Sequence, residues 1–258
     1  GWCGYPLDKR IFPWNHANCG DLNLSGERRP QSYLRETLWS DAPVSHIVVT
    51  PPVPSFPLNP DKANWSVWDF PDVVDHWNFP GYEGKKMTVS VYSNCEQVEL
   101  FLNGESLGKQ ENTADKKNTL VWEVPYAHGI LKAVSYNKGG EVGTATLESA
   151  GKVEKIRLSA DRTEIVADGN DLSYITLELV DSKGIRNQLA EELVEFSIEG
   201  DATIEGVGNA NPMSIESFVA NSRKTWRGSN LLVVRSGKSS GRIIVTAKVK
   251  ALPVASIT

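Results

Sequence analysis

Short runs of alternating apolar residues, closed by tight-turn dipeptides, constrain this chain more than any other feature. In residues 98–102, Val98, Leu100 and Leu102 share one face, the period of a strand with one side buried. Asn103-Gly104 follows at once. That dipeptide is the strongest short hairpin signal, because a type I′ turn needs φ > 0 at both central positions. Residues 87–92 repeat the pattern, with Met87, Val89 and Val91 alternating with Thr88, Ser90 and Tyr92. Further strands are predicted over 119–124, 130–136 and 143–148, with Gly139-Gly140 turning the last pair. Together they read as one antiparallel sandwich.

Gly151 and Lys152 mark a boundary, after which strands recur over 153–158, 174–180, 194–198, 231–235 and 242–248. Asp181-Ser182-Lys183-Gly184 supplies a hairpin turn between Val180 and Ile185. This spacing suits a second, Ig-like sandwich. The 258 residues, 40% hydrophobic and 23% charged, suffice for two domains of about 100 residues each plus a remainder. A formal net charge of −5 argues against nucleic acid as a partner, since phosphate binding needs a basic face. No apolar run approaches the roughly 18 residues of a membrane span, so no membrane partner is expected. The chain opens on Gly1 without a signal-peptide layout, which reads as an excised fragment. Cys3, Cys19 and Cys95 are odd in number and scattered. A disulfide framework is not indicated, no Cys-x-x-Cys metal spacing exists, and at least one is expected to be a plain buried thiol.

The first 60 residues differ in kind. Residues 20–26 are rich in Gly, Asp, Asn and Ser, and read as a loop. Pro30 then suits the first turn of a helix. Leu34 and Leu38 fall at i and i+4, on one face, and Trp39 closes the run. The next stretch carries Pro51, Pro52, Pro54 and Pro57 around the apolar run Ile47, Val48, Val49. One strand and an extended connector are expected there.

Residues 20–39, GDLNLSGERRPQSYLRETLW, resemble the last strand-to-helix turn of the catalytic barrel in glycoside hydrolase family 2, the β-galactosidase-like enzymes. Gly20, Asp21, Gly26, Arg29, Pro30, Ser32, Tyr33 and Trp39 occupy the places of that motif. Residues 77–109 are similar to the sandwich that follows the barrel in one branch of the family, and residues 153–249 to a further Ig-like domain. The resemblance implies a mainly β chain: a loop-plus-helix remnant of a (β/α)8 barrel over 1–41, then antiparallel Ig-like β-sandwich domains over 42–150 and 151–258. It implies a parent that hydrolyses terminal β-galactosides with retention in carbohydrate metabolism, without cofactor, in the periplasm or outside the cell. The chain's own catalytic barrel would be its partner.

Retaining glycosidases need two carboxyl groups roughly 5–5.5 Å apart. By resemblance these lie on earlier barrel strands, so no catalytic residue is expected here. Glu27 and Glu36 read as a solvated helix surface. In the loop of residues 12–18, Trp14, Asn15, His16 and Asn18 are candidate substrate contacts, by stacking on a sugar and bonding its hydroxyls. The alternative is that Trp14 and His16 plug the barrel edge. Trp65, Trp68, Trp77 and Tyr82, with Phe79, are the candidate sugar platform, or else they fill an interface between barrel and sandwich. Three function classes follow: a non-catalytic region bracing a glycosidase barrel, a carbohydrate-binding module, or a structural Ig-like spacer.

Two motifs invite over-reading. Gly104-Glu105-Ser106-Leu107-Gly108 has the spacing of a nucleophile elbow, with Asp115 and His128 following in hydrolase order. An elbow needs a strand, a strained turn and a helix, whereas a hairpin signal and a polar loop flank Ser106. Asp168-Gly169-Asn170-Asp171 hints at calcium but lacks the alternating acids and terminal Glu of an EF-hand loop. A turn is expected, and no metal.

Overall fold

The computed structural model of the chain describes residue 13 and residues 20–55 and 71–258. Trp14, Asn15, His16, Asn18, Trp65, Trp68, Cys3 and Cys19 therefore lie outside the described residues. The chain divides into two compact units, one of Gly1–Asn23 and Glu27–Ser149 and one of Leu24–Gly26 and Ala150–Thr258.

The first unit is an antiparallel sandwich. One sheet has the order β1-β2-β5, with β1 Ser45–Val49, β2 Lys86–Ser93 and β5 Thr119–Pro125. The other has the order β4-β3-β6-β7, with β3 Gln97–Leu102, β4 Glu105–Glu111, β6 Ile130–Asn137 and β7 Gly140–Glu148. Alternate residues of both sheets meet between them: Val89, Val91, Leu120 and Val124 from one, Val98, Leu100 and Leu131 from the other. Trp77, Phe79 and Tyr126 close one end with edge-on ring contacts 4.9–5.9 Å apart. The Phe79 amide donates to the Tyr126 hydroxyl at 3.0 Å.

Strand β1 and the adjoining end of β2 are buried on both faces, whereas β5 keeps one face exposed. Ile47 and Val49 point into the sandwich, whereas Val48, with Val73 and Tyr92, forms a second cluster on the opposite face. This explains why residues 47–49 read as an unbroken apolar run: a strand covered on both sides has no polar face to present. The cover is the predicted helix. A 3-10 turn at Pro30–Ser32 leads into α1, Tyr33–Trp39, whose Tyr33 and Leu34 pack on that second cluster. One expectation fails here. Leu34 and Leu38 do not share a buried face, because the docking stripe runs through Tyr33, Leu34 and Thr37. Leu38 is 63% exposed.

The Asn103-Gly104 turn forms as predicted, with φ of 52° and 88°. The last pair of the first sandwich turns one residue earlier than predicted. Lys138 and Gly139 hold the positive φ, and Gly140 already pairs with Asn137 at the head of β7.

The second unit is a second sandwich. Its sheets are β11-β13-β9-β8 and β12-β10-β14-β15. The strands run β8 Lys155–Ala160, β9 Leu172–Val180, β10 Leu193–Glu199, β11 Ala202–Gly208, β12 Ser222–Lys224, β13 Ser229–Ser236, β14 Ile244–Val249 and β15 Ala255–Ile257. Leu177, Leu179, Phe196, Leu232 and Ala247 are among the residues of its core. The Asp181–Gly184 turn forms as expected, with the Asp181 amide on the Ile185 carbonyl at 3.0 Å and Gly184 at φ 86°.

Candidate functional site

Where α1 meets the first sandwich, planar and charged groups are layered in a small volume. The Arg28 guanidinium sits over the Tyr33 ring at 4.5 Å, and that ring stacks on His46 of β1. Glu36 closes the layers from the side, accepting from Arg28 Nη1 at 2.7 Å and lying 3.2 Å from His46 Nε2. Arg35 pairs with Asp21 alongside. The helix places Tyr33 and Glu36 one turn apart, so both reach the same strand.

Electrostatics follow from these neighbours. Hydrogen bonding to Arg28 holds the Glu36 carboxyl below its ordinary range. Burial pushes His46 down, with Glu36 opposing. Burial, followed by the charge of Asp75, pushes the Tyr33 phenol up. Every described carboxyl whose pKa departs from its ordinary value is held low: Glu36, Asp115, Asp171, Asp181 and Asp201. A glycosidase general acid needs the reverse, a carboxyl kept protonated by its surroundings. Glu36 is thus an ion-pair partner.

Two asparagines that sequence patterning passed over clamp the helix. Asn118 Nδ2 donates to Thr37 Oγ1 at 3.1 Å. Asn94 Nδ2 donates to the carbonyls of Ser40 and Ala42, at 3.0 and 2.9 Å, and Asn94 Oδ1 accepts from the Val44 amide at 2.8 Å. Asn118 sits at φ 59° in the bend before β5, a conformation that Asn tolerates. That was the only local signal available for it. Beside the helix an open hollow of 470 Å³ is bordered by Asp21, Arg28, Arg35 and Trp39, and Trp39 is 79% exposed.

Of the candidate platform, Trp77 and Tyr82 are described, and they are not brought together as a surface. Trp77 is fully buried in the sandwich core, with Nε1 donating to the Ala127 carbonyl at 2.8 Å. A ring with no exposed face cannot stack on a sugar, so Trp77 is a core residue. Tyr82 is half-buried, and Lys85 Nζ covers its ring at 4.6 Å.

Ser106 lies on β4, paired with Phe101, and its Oγ donates to Glu99 Oε1 at 2.6 Å. A strand follows the turn where an elbow needs a helix. In the Asp168 turn, Asp168 Oδ1 accepts the amides of Asn170 and Asp171 at 2.7 and 2.9 Å, while Arg162 pairs with Asp171. Among the described residues no group of three or more His, Cys, Asp or Glu is placed to hold a metal ion. Cys95 is a buried free thiol.

Comparison with known proteins adds a family. Residues 156–258 match the model described as glycoside hydrolase family 2 C-terminal domain 5, and residues 84–143 match one described as a domain of unknown function, DUF4982. A β-galactosidase of Bacteroides ovatus is 30% identical over 236 residues, 92% of this chain and 24% of the relative. A β-glucuronidase of Formosa agariphila is 30% identical over 204 residues, 76% of this chain and 20% of the relative. The chain thus spans a quarter or less of these curated relatives. A solved structure of a glycosyl hydrolase family 2 member from Bacteroides cellulosilyticus is 99% identical, with a TM-score of 0.96 over 100% of this chain and 33% of that one.

Proposed function

We propose a role for a chain that belongs to the C-terminal region of glycoside hydrolase family 2 proteins: it is the non-catalytic part of a retaining β-galactosidase-type enzyme, bracing and shaping the catalytic barrel. The observation that carries this reading is the two-sided α1 helix. One side is bound into the first sandwich by Tyr33, Leu34 and the two asparagine clamps. The other presents Leu38 and Trp39 to solvent. An exposed Trp beside an exposed Leu marks a surface that another body covers. In the parent that body is the barrel, and the sandwich fixes the helix on which the barrel rests.

The relatives bear two activity names, so the test uses both substrates. The isolated chain is expected to leave nitrophenyl β-galactoside and nitrophenyl β-glucuronide untouched. Turnover that survives repurification and disappears in Glu36→Gln would overturn the reading. In the full-length parent, Trp39→Ala should lower the melting temperature of the catalytic portion with little change in KM. An unchanged melting temperature would remove the bracing role.

A further inference from the structure

The connection from β11 to β12, residues 209–221, crosses from one sheet of the second sandwich to the other without helix or strand of its own. Most connections run about 4–6 residues, and long ordered ones usually carry a function. Three large apolar side chains on this loop face solvent: Ile215, Phe218 and Val219 are 83%, 51% and 83% exposed. Single exposed apolar residues are ordinary, but three within one short stretch mark a contact surface.

The loop is tied down along its length. The Val207 amide donates to the Phe218 carbonyl and the Phe196 amide to the Asn221 carbonyl, both at 2.8 Å. Asn209 Nδ2 donates to the Lys224 carbonyl at 2.9 Å. The side chain of Arg223 is wholly buried against the loop. Its Nη1 donates to the carbonyls of Val207 and Glu216 at 3.1 and 3.2 Å, its Nη2 to the Ser214 hydroxyl at 3.1 Å, and its guanidinium stands 4.2 Å from the Phe218 ring. Arg223 Nε has no hydrogen-bond partner among the described residues, and Glu216 Oε2 is 4.0 Å away. Burying a charge with an open donor costs folding free energy. A loop that only links two strands gives no reason for that cost. A loop whose shape is needed does, since the guanidinium backs the Phe218 ring and fixes the tip before any partner arrives, which lowers the ordering cost of docking.

The size of the tip selects its occupant. A stable association between separate proteins buries about 800 Å² on each partner, and three side chains on one loop offer a fraction of that. Within one polypeptide the partner surface is held at an effective concentration in the millimolar range, so a small apolar contact suffices. Such a partner surface has ample chain to come from, since the 99% identical solved protein is matched by this chain over only 33% of its length. We propose that the 209–221 loop is a preformed docking arm whose tip, Ile215, Phe218 and Val219, packs against an apolar surface on the part of the same polypeptide that lies outside this chain. The proposal rests on the reading of the chain as one region of a longer enzyme, but not on the role given there to Trp39.

The test uses the full-length family 2 protein carrying the photo-reactive residue p-benzoylphenylalanine at position 215 or, separately, at position 219. Each protein is irradiated when dilute and when concentrated, and the joined peptides are identified by mass spectrometry. The expected product is a crosslink within one polypeptide, to a peptide outside this chain, in equal yield at both concentrations. Phe218→Ala, at a half-exposed ring, should lower the yield from position 215 severalfold. Trp39→Ala should leave the crosslink in place, so this proposal and the bracing role fail separately. Absence of a crosslink from both positions would overturn the proposal. So would crosslinks confined to this chain, a product joining two copies whose yield grows with concentration, or a yield indifferent to Phe218→Ala.

Discussion

The Tyr33 ring lies flat on the His46 imidazole, centroids 4.0 Å apart and planes 10° from parallel. The contact joins the first residue of α1 to β1 and keeps water from one face of the imidazole. Two of the predictions below follow from it.

The first concerns pH. Burial holds His46 below its ordinary 6.5, so as pH falls the unfolded chain takes up this proton before the folded one. Stability of the first sandwich should be complete above about pH 6.5 and decline below it. Glu36, held below its ordinary 4.5 chiefly by Arg28, adds a further loss at lower pH. Urea denaturation at about pH 7.5 and about pH 5.5 reads the first effect. His46→Gln should flatten the dependence across that interval, and an unaltered slope would locate the titration elsewhere.

The second concerns Tyr33. Tyr33→Ala deletes the stack on His46 and the cover over Val48 and Tyr92. For a half-buried aromatic the cost should be about 1–2 kcal/mol. The His46 pKa, followed by its ring proton shifts in NMR, should rise toward its ordinary value as water gains access. A destabilised variant with an unmoved His46 pKa would show that Tyr33 does not shield the imidazole.

The third concerns Trp77. Because its side chain is fully buried and hydrogen-bonded to Ala127, Trp77→Ala should cost about 3–5 kcal/mol of first-sandwich stability. Chemical denaturation measures the cost. A variant that kept its stability but lost a saturable sugar response would instead make Trp77 an accessible platform.

The fourth compares two glycines. Gly104 has φ 88° and open space where a Cβ would go, so Gly104→Ala should cost only the strain of the conformation, about 1–2 kcal/mol. Gly228 has φ 69°, and a Cβ there would stand 2.3 Å from the Asn187 carbonyl oxygen. Gly228→Ala should therefore cost its own sandwich more than Gly104→Ala costs the first. Equal losses in the two denaturation curves would mean that the backbone at Asn187 yields freely.

The sequence by itself determined the local parts: the Asn103-Gly104 and Asp181–Gly184 turns, the start of the helix at Pro30, and every central strand of the four sheets. A central strand is flanked on both sides and buries a full face, so its alternation is complete. The strands that patterning passed over, β4, β11, β12 and β15, all lie at sheet edges. There one neighbour is missing and polar residues are tolerated, as in Glu105–Glu111, where no residue is buried. Tertiary structure alone decided what long-range partners impose. Leu38 carries the helical period yet stays exposed, because the helix is held by its flank on β1 and β2. Trp77 reads as a sugar platform or an interface filler in a proline-broken segment, yet it is sealed into the sandwich core by Tyr126 and Ala127, some 50 residues on. Arg223 carries a charge that its sequence neighbours do not explain, and it is wholly buried, held by the carbonyls of Val207 and Glu216 and the Ser214 hydroxyl. In each case the residue's environment comes from segments distant in sequence, which period and composition do not encode.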